Sequence, residues 1–223
     1  MDRILEYYFD PKVIARAFPD VLAGFRVTVA VALLIIVFGI AIGLLLALLR
    51  CANLRLLNAL IIVYVDVLRT LPQLVIIVFI YFGLPYVGLT LSPFVTTVLS
   101  LGMVLSAFSS EIFWSAIMAV PRGQWDAASA LGFGPVRTLL QIILPQAVRL
   151  SVPLLTNRAI SISKGTALGT AVSLPETLGQ AQSVTAMVAN PSPLTLAAAF
   201  YVLFFLPLVV ASRWIERRSG RGR

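Results

Sequence analysis

The feature that most constrains this chain is a run of 23 residues without a charged side chain, from Val27 to Leu49. At about 1.5 Å per residue, a helix of this length crosses the roughly 30 Å hydrocarbon core of a bilayer. Charged residues make up only 12% of the sequence, against about 25% in an average soluble domain. The pattern therefore predicts an all-α integral membrane protein and excludes a disordered chain, a secreted disulfide-bonded domain and an ordinary cytosolic enzyme.

The residue inventory excludes several kinds of site. The single cysteine, Cys51, allows no intrachain disulfide or thiolate metal cluster, and the sequence has no histidine, the commonest metal ligand and general base. The two lysines, Lys12 and Lys164, lie outside any GxxxxGK[ST] motif, so no ATP-binding P-loop is predicted. We expect this chain itself to bind no metal and no cofactor.

The basic residues predict how the chain crosses the membrane. Ten of the 17 basic residues fall into three clusters, and such residues concentrate in cytoplasmic loops because they resist translocation. This placement predicts an external N-terminus and a cytoplasmic C-terminus. It also predicts that the net charge of +8 reflects contact with a lipid bilayer and not with nucleic acid. The clusters are Arg50 and Arg55; Arg122, Arg137 and Arg149; and Arg213, Arg217, Arg218, Arg221 and Arg223.

Hydropathy predicts five membrane spans in one domain that covers residues 1–223. The polar interruption 121–149 is predicted to be cytoplasmic, and the segment 174–193 is predicted to be an external loop. An odd number of spans argues against an inverted repeat within one chain, so a pathway would form between two copies or between this chain and a related one. The predicted spans are 27–49, 57–81, 96–119, 150–172 and 194–212.

Gly39 and Gly43 form a GxxxG pattern in the first span. Small residues at this spacing let two helix backbones approach closely. The sequence alone leaves two partners open, a helix of the same subunit and a helix of a second subunit.

The polar interruption contains a segment, 124–145, that predicts a helix–turn–helix. Asp126 is placed in the first turn of a short helix, where an acid faces the positive end of the helix dipole. Gly132 and Gly134 are expected to end this helix with positive φ angles, and a second helix is predicted over Pro135–Pro145. Such an element between two spans indicates a docking site for a cytoplasmic protein; an ordinary solvated loop is the alternative.

The residue spacing of this segment resembles the EAA loop of the permeases of bacterial ABC importers. Seven positions follow the family's gaps, with Asp126 where the family usually has glutamate. The resemblance implies the type I ABC importer permease fold, five transmembrane helices with a cytoplasmic coupling helix, in the bacterial cytoplasmic (inner) membrane. The matching positions are Asp126, Ala127, Ala128, Gly132, Ile142, Leu144 and Pro145.

Other segments resemble the polar amino acid branch of this family, the permeases of the histidine, glutamine and glutamate type. Gly165 stands where the branch usually has an acid, and Leu71 stands where threonine is common. Both substitutions lie near the expected substrate path, so the resemblance does not specify which amino acid is carried. The similar stretches are 65–85, Glu111-Ile112, 143–157 and 161–182.

The resemblance also implies partners and makes the chain a transporter subunit rather than an enzyme. A separate cytoplasmic ATPase dimer would bind ATP and Mg, an extracytoplasmic solute-binding protein would deliver the substrate, and a second permease copy or a sister permease would complete the pore. The residues that the resemblance assigns to ATPase coupling are Asp126, Ala127, Ala128, Gly132, Leu144 and Pro145.

Polar side chains within the spans are candidates for the substrate path, because such residues are costly in lipid. Arg69, Asn157 and Lys164 are candidates for binding the carboxylate of an amino acid, and Asp66 or Glu111 for binding its ammonium group. Asp66 and Arg69 lie three residues apart on one helix face and could instead neutralise each other.

Three other functions stay open on the sequence. Another small zwitterion, such as an opine or ectoine, would use the same architecture. An ion-coupled secondary transporter could use Asp66 and Glu111 as ion sites but would not need the EAA-type loop. A non-transporting membrane partner of an ATPase would keep the loop but would not need a polar fourth span.

Overall fold

The computed structural model describes residues 7–220, with side chains as far as Arg217, and every element of regular structure in this range is helical. Arg221 and Arg223 of the predicted basic tail lie outside the described residues. A 3₁₀ turn, Leu84–Val87, follows α3. The α-helices are α1 (Pro11–Arg50), α2 (Arg55–Thr70), α3 (Gln73–Gly83), α4 (Pro93–Ala119), α5 (Arg122–Ala130), α6 (Pro135–Val172), α7 (Thr177–Val188) and α8 (Ser192–Gly220).

Four of the described helices, α1, α4, α6 and α8, are each long and apolar enough to cross a membrane. Helices α2 and α3 pass the same test only as a pair, so the described residues contain up to five candidate spans if this pair counts as one. The pair is broken at Leu71 and Pro72, because proline has no N–H to donate and disfavours helical backbone at the residue before it. The predicted second span is thus made of two helices.

Helix α6 differs from its sequence prediction. The helix does not end at Pro145 but runs without interruption from Pro135 to Val172, 38 residues in all, so the prediction of a separate short second helix is wrong. Residues Thr138–Ile143 form a π-helical turn directly before the proline. In a regular α-helix the proline ring would clash with the carbonyl group four residues earlier, and the wider π turn contains that carbonyl and relieves the clash. The last part of α6, Lys164–Val172, tightens to a 3₁₀ helix.

The predicted external loop 174–193 contains a helix, α7. The side chain of Glu176 accepts a hydrogen bond of 2.8 Å from the backbone N–H of Gly179 and so caps the first turn of α7. The helix ends at Val188, and the next residue, Ala189, has a left-handed φ of 51°. The sequence signal was hidden because a glutamate at this capping position is uncommon.

The chain divides into two compact units. The first unit comprises the described residues up to Val37, Leu71–Gly102 and Ile160–Val209. Parts of α1, α7 and α8 form one apolar core in this unit, with Phe200 packed against it. The fully or almost fully buried members of that core are Ala17, Val21, Ala181, Val184 and Ala197.

The second unit comprises Phe38–Thr70, Met103–Ala159 and the described residues from Val210. Within it, Gly39 and Gly43 of α1 face helix α4. A Cβ atom added at Gly39 would lie 2.6 Å from the Cβ of Leu105, and one added at Gly43 would lie 2.8 Å from the carbonyl oxygen of Ser106. Of the two partners left open by the sequence, the GxxxG pattern packs against a helix of the same subunit.

Candidate functional site

The candidate coupling element is helix α5, which packs on the second unit through one face. Ala128 is only 2% exposed, and half-buried Trp125 packs against an apolar cluster that includes Ile117 and Ile143. The side-chain amide of Gln146 on α6 donates a 3.4 Å hydrogen bond to that of Gln124 on α5. The opposite face of α5 is open, because Asp126 and Ala127 are exposed, and the flanking Arg122, Gln124 and Ser129 are exposed as well.

Two details of α5 correct the sequence predictions. Asp126 is the fifth residue of the helix and not part of its first turn, because the helix begins at Arg122, directly after Pro121. Gly132 has the predicted positive φ, 81°, and its N–H bonds to the carbonyl oxygen of Ser129 at 3.0 Å. Gly134 has a φ of −70° in extended backbone, so the prediction of a positive φ there is wrong.

The remaining predicted coupling residues differ in how far they are buried. Ala127 and Pro145 are exposed and Leu144 is half-buried. Ala128 faces inward on the same helix and is therefore part of the support of α5 rather than of its open face.

Glu111 on α4 lies beside two arginines of the second unit. Its Oε2 atom accepts a 3.1 Å hydrogen bond from Nη1 of Arg50 and lies 3.9 Å from Nη1 of Arg69. The guanidinium carbon of Arg50 also lies 4.5 Å from the centre of the Trp114 ring. Asp66 is exposed and makes no ion pair within the described residues, so the carboxylate near Arg69 is Glu111 and not Asp66.

Asn157 on α6 is held by the C-terminal helix α8. Its side-chain oxygen accepts a 3.0 Å hydrogen bond from Ser212, and its amide group donates to Glu216. The sequence analysis named Asn157 and Lys164 together as candidates for binding the carboxylate of an amino acid. The structure gives Asn157 partners of its own in the second unit, whereas Lys164 belongs to the first unit.

Lys164 lines a cavity of about 450 Å³ in the first unit, called here the Lys164 cavity. Its Nζ atom lies 5.9 Å from the centre of the Phe205 ring, a cation–π distance. The other lining residues are apolar or aromatic, and Tyr201 is among them. The cavity is formed by Lys164, Ala167, Tyr201, Val202, Phe205, Leu206 and Val209.

A carboxylate that sequence reasoning missed lies behind the wall of this cavity. Glu176 is 0% exposed and accepts hydrogen bonds from the hydroxyl of Tyr201 and from Thr28 Oγ1, the latter at 3.2 Å. The N–H of Thr177 in turn donates to Thr28 Oγ1 at 3.2 Å. The one signal in the sequence was that Glu176 is the sole charged residue of the segment 174–193, since a buried carboxylate needs several donors.

Gly165, next to Lys164, packs closely against the side chain of Gln73. A Cβ atom at this position would collide with the side-chain oxygen of Gln73 and lie 3.4 Å from Leu101. Gln73 thus occupies the space into which a side chain at position 165 would extend. The first unit therefore presents a cation, Lys164, without an adjacent acid at position 165.

Comparisons with known proteins agree with this architecture. The family described as binding-protein-dependent transport system inner membrane component matches residues 39–221. The probable glutamine ABC transporter permease GlnP of Bacillus subtilis is 36% identical over 88% of this chain and 92% of its own length. The nopaline transport system permease NocM of Agrobacterium fabrum is 29% identical over 96% of this chain and 95% of its own length.

A solved structure gives the same result at the level of the fold. A chain in the crystal structure of an amino acid ABC transporter with histidines is 27% identical, with a TM-score of 0.84 over 92% of this chain and 96% of that one. The match confirms the predicted all-α membrane fold, that of type I ABC importer permeases. The family match covers most of the sequence, and the chain therefore belongs to the inner membrane components of binding-protein-dependent transport systems, the permease subunits of ABC importers.

Proposed function

We propose that this chain is the permease subunit of an importer that moves polar amino acids into the cytoplasm. A solute-binding protein would deliver the amino acid from outside, and a separate ATPase dimer, which binds ATP and Mg, would drive transport. The family match over residues 39–221 and the relatives named for glutamine and other amino acids support this proposal. The N-terminus would lie outside and the C-terminus in the cytoplasm, as the basic clusters predict.

Helix α5 is the proposed contact with the ATPase, and its geometry is the observation that carries the proposal. Its inner face is fixed by Trp125 and Ala128, while Asp126 and Ala127 on the outer face are free to meet another protein. A helix that is packed on one side and open on the other can bind a partner through its open face. Movement of that partner is then passed through the packed face to the helices beneath it. Gly132 would preserve this arrangement by ending the helix in a left-handed conformation.

The Lys164 cavity is the proposed substrate contact in the first unit. Its volume of about 450 Å³ lies within the roughly 300–1,000 Å³ typical of small-molecule sites. Lys164 supplies a cation for the substrate's carboxylate, and the apolar walls leave few alternative polar contacts. Of the other candidates, Asn157 is engaged by Ser212 and Glu216; Asp66, Arg69 and Glu111 remain proposed contacts along the path through the second unit.

The test is ATP-driven uptake by proteoliposomes that contain the chain with its cognate ATPase and binding protein. Wild type should accumulate a radiolabelled polar amino acid such as L-glutamine only when ATP is present. Lys164→Gln should reduce uptake at least about tenfold, because it removes the cation. Lys164→Arg should retain more activity, because the positive charge stays. Equal uptake by wild type and Lys164→Gln would exclude Lys164 from the substrate path.

Opines are the second candidate substrate class, supported by the similarity to the nopaline permease. Unlabelled nopaline and glutamine, added in excess to the same uptake assay, separate the two classes. Competition by nopaline alone would replace the polar amino acid proposal with the opine one. An ion-coupled secondary transporter would take up its substrate without ATP. Such uptake would contradict both the amino acid proposal and the opine proposal.

A further inference from the structure

Three arginines and one glutamate lie together in the second unit, and their charges do not balance. Arg50, Arg69 and Arg158 bring three positive charges, whereas Glu111 brings one negative charge. Both ion pairs among the described residues use the same oxygen, Oε2 of Glu111. Phe108 and Glu111 lie on α4 and Arg158 lies on α6, two helices that are long and apolar enough to cross a membrane.

Arg50 interacts with Glu111 more closely than Arg69 does. Its side chain is 10% exposed and its Nη1 atom lies 3.1 Å from Oε2, whereas Nη1 of Arg69 lies at 3.9 Å, beyond hydrogen-bonding distance. Arg50 is also held by the Trp114 ring at 4.5 Å. Arg50 therefore fixes the carboxylate of Glu111 and leaves Arg69 only weakly neutralised.

Arg69 and Arg158 share a single aromatic ring. Their guanidinium carbons lie 5.3 Å and 4.0 Å from the centre of the Phe108 ring. The side chain of Arg158 makes no ion pair and donates no hydrogen bond within the described residues. Two like charges on one ring repel each other, and in a membrane-spanning helix an unbalanced charge is costly. A bound anion would lower both the repulsion between the two guanidinium groups and the cost of their unbalanced charge.

The donors for such an anion are available. A guanidinium group has five N–H donors in its plane, and contact with an aromatic face leaves their hydrogen-bonding capacity unused. The side chain of Arg69 is 37% exposed and Arg158 is also exposed, so a ligand can reach both. Glu111 neutralises Arg69 only in part, because its Oε2 atom is hydrogen-bonded to Arg50 and lies 3.9 Å from Arg69.

We propose that Arg69 and Arg158, supported by the ring of Phe108, form a binding site for an oxyanion, either a carboxylate or a phosphate. Arg50 is a positioning residue that holds the carboxylate of Glu111 at the edge of this site, 3.9 Å from Arg69. Two sources carry this chemistry: the carboxylate of an amino acid in transit and the phosphate of an anionic phospholipid. Only the first source rests on the proposed function, and Arg158 has no place in the substrate path outlined above.

The experiment measures both sources on the full-length permease in nanodiscs. In discs of phosphatidylcholine, binding of radiolabelled L-glutamine is compared with binding of L-glutaminamide, which lacks the carboxylate. In discs that contain phosphatidylglycerol, native mass spectrometry counts the phosphatidylglycerol molecules that stay bound. The variants are Arg69→Gln and Arg158→Gln. Arg55→Gln is the matched control, since it removes the same charge from an exposed arginine that is not part of the proposed site.

Each arginine variant should weaken binding of one of the two ligands about tenfold or more relative to the control, because one of two charged donors is lost. An effect on L-glutamine without an effect on its amide assigns the site to the substrate carboxylate. An effect on phosphatidylglycerol alone assigns it to the lipid. If both arginine variants bind both ligands as well as Arg55→Gln does, the site does not exist.

Two further variants keep the test valid if Arg158→Gln fails to fold. Arg158→Lys keeps the charge but loses the planar pair of donors, and Phe108→Leu keeps both arginines but removes their shared support. Both should weaken binding several-fold, and unchanged binding in both would overturn the proposal. Absence of ATP-driven uptake by the wild-type complex would instead overturn the proposed function and leave the lipid measurement valid.

Discussion

Replacement of Gly43 by alanine tests whether the GxxxG pattern packs α1 against α4 as the structure shows. An alanine in a helix interior is favoured over glycine by about 1 kcal/mol. At Gly43 the new methyl group would collide with the Cβ of Ser109 and lie 2.8 Å from the carbonyl oxygen of Ser106. Two of the three nearest atoms belong to the backbone of α4 and cannot rotate away, so overpacking should cost about 1–3 kcal/mol.

Gly102→Ala provides the matched control. Gly102 is likewise inside a long helix, α4, but a Cβ atom at this position would have no neighbouring atom within 4 Å. The gain in helix propensity is then the same in both variants, and the difference between them isolates the overpacking cost. Gly102→Ala should stabilise by about 1 kcal/mol, and Gly43→Ala should be less stable than Gly102→Ala by about 1–3 kcal/mol.

The assay is thermal unfolding of the full chain in a mild detergent, followed by tryptophan fluorescence. With about 2–4 °C per kcal/mol for a chain of this size, a 2 kcal/mol difference corresponds to about 6 °C between the two melting temperatures. Gly39→Ala should fall between them, because its close contacts are all with the side chain of Leu105, which can adjust. Equal melting temperatures for Gly43→Ala and Gly102→Ala would refute the packing of Gly43 against α4.

Three further predictions concern coupling, the cavity wall and topology. Gly132→Val should leave membrane insertion intact but reduce co-purification with the ATPase and ATP-driven uptake, because valine disfavours a φ of 81°; normal docking and uptake would contradict the role of α5. Tyr201→Phe removes a hydrogen bond to a buried carboxylate and should cost about 1.5–3 kcal/mol, which thermal unfolding of the full chain measures; an unchanged melting temperature would show that this bond contributes nothing. In a Cys51→Ser background, Ser183→Cys should react with an impermeant thiol reagent from outside, whereas Ser129→Cys should react only after the membrane is opened; the reverse pattern would overturn the proposed orientation.

The membrane fold and the family could be predicted from the sequence because their signals are local. The uncharged run in the first span, the basic clusters and the spacing from Asp126 to Pro145 depend on residues close together in the chain. The positive φ of Gly132 was predictable for the same reason. Local reasoning failed where two neighbouring rules competed: Pro145 suggested a helix end, but the π turn before it lets α6 continue.

The side-chain partners in the candidate sites were decided by the tertiary structure. The sequence offered Asp66 as the neighbour of Arg69, yet the structure brings Glu111 to it from a different helix. Glu176 lies in the segment that the sequence predicted to be an external loop. The fold places Thr28, 148 residues away in the chain, beside its carboxylate. Periodicity and charge determine which segments enter the membrane, because each segment meets lipid or water by itself. Which side chains then meet depends on how those segments pack, because a hydrogen bond needs two atoms within about 3 Å of each other.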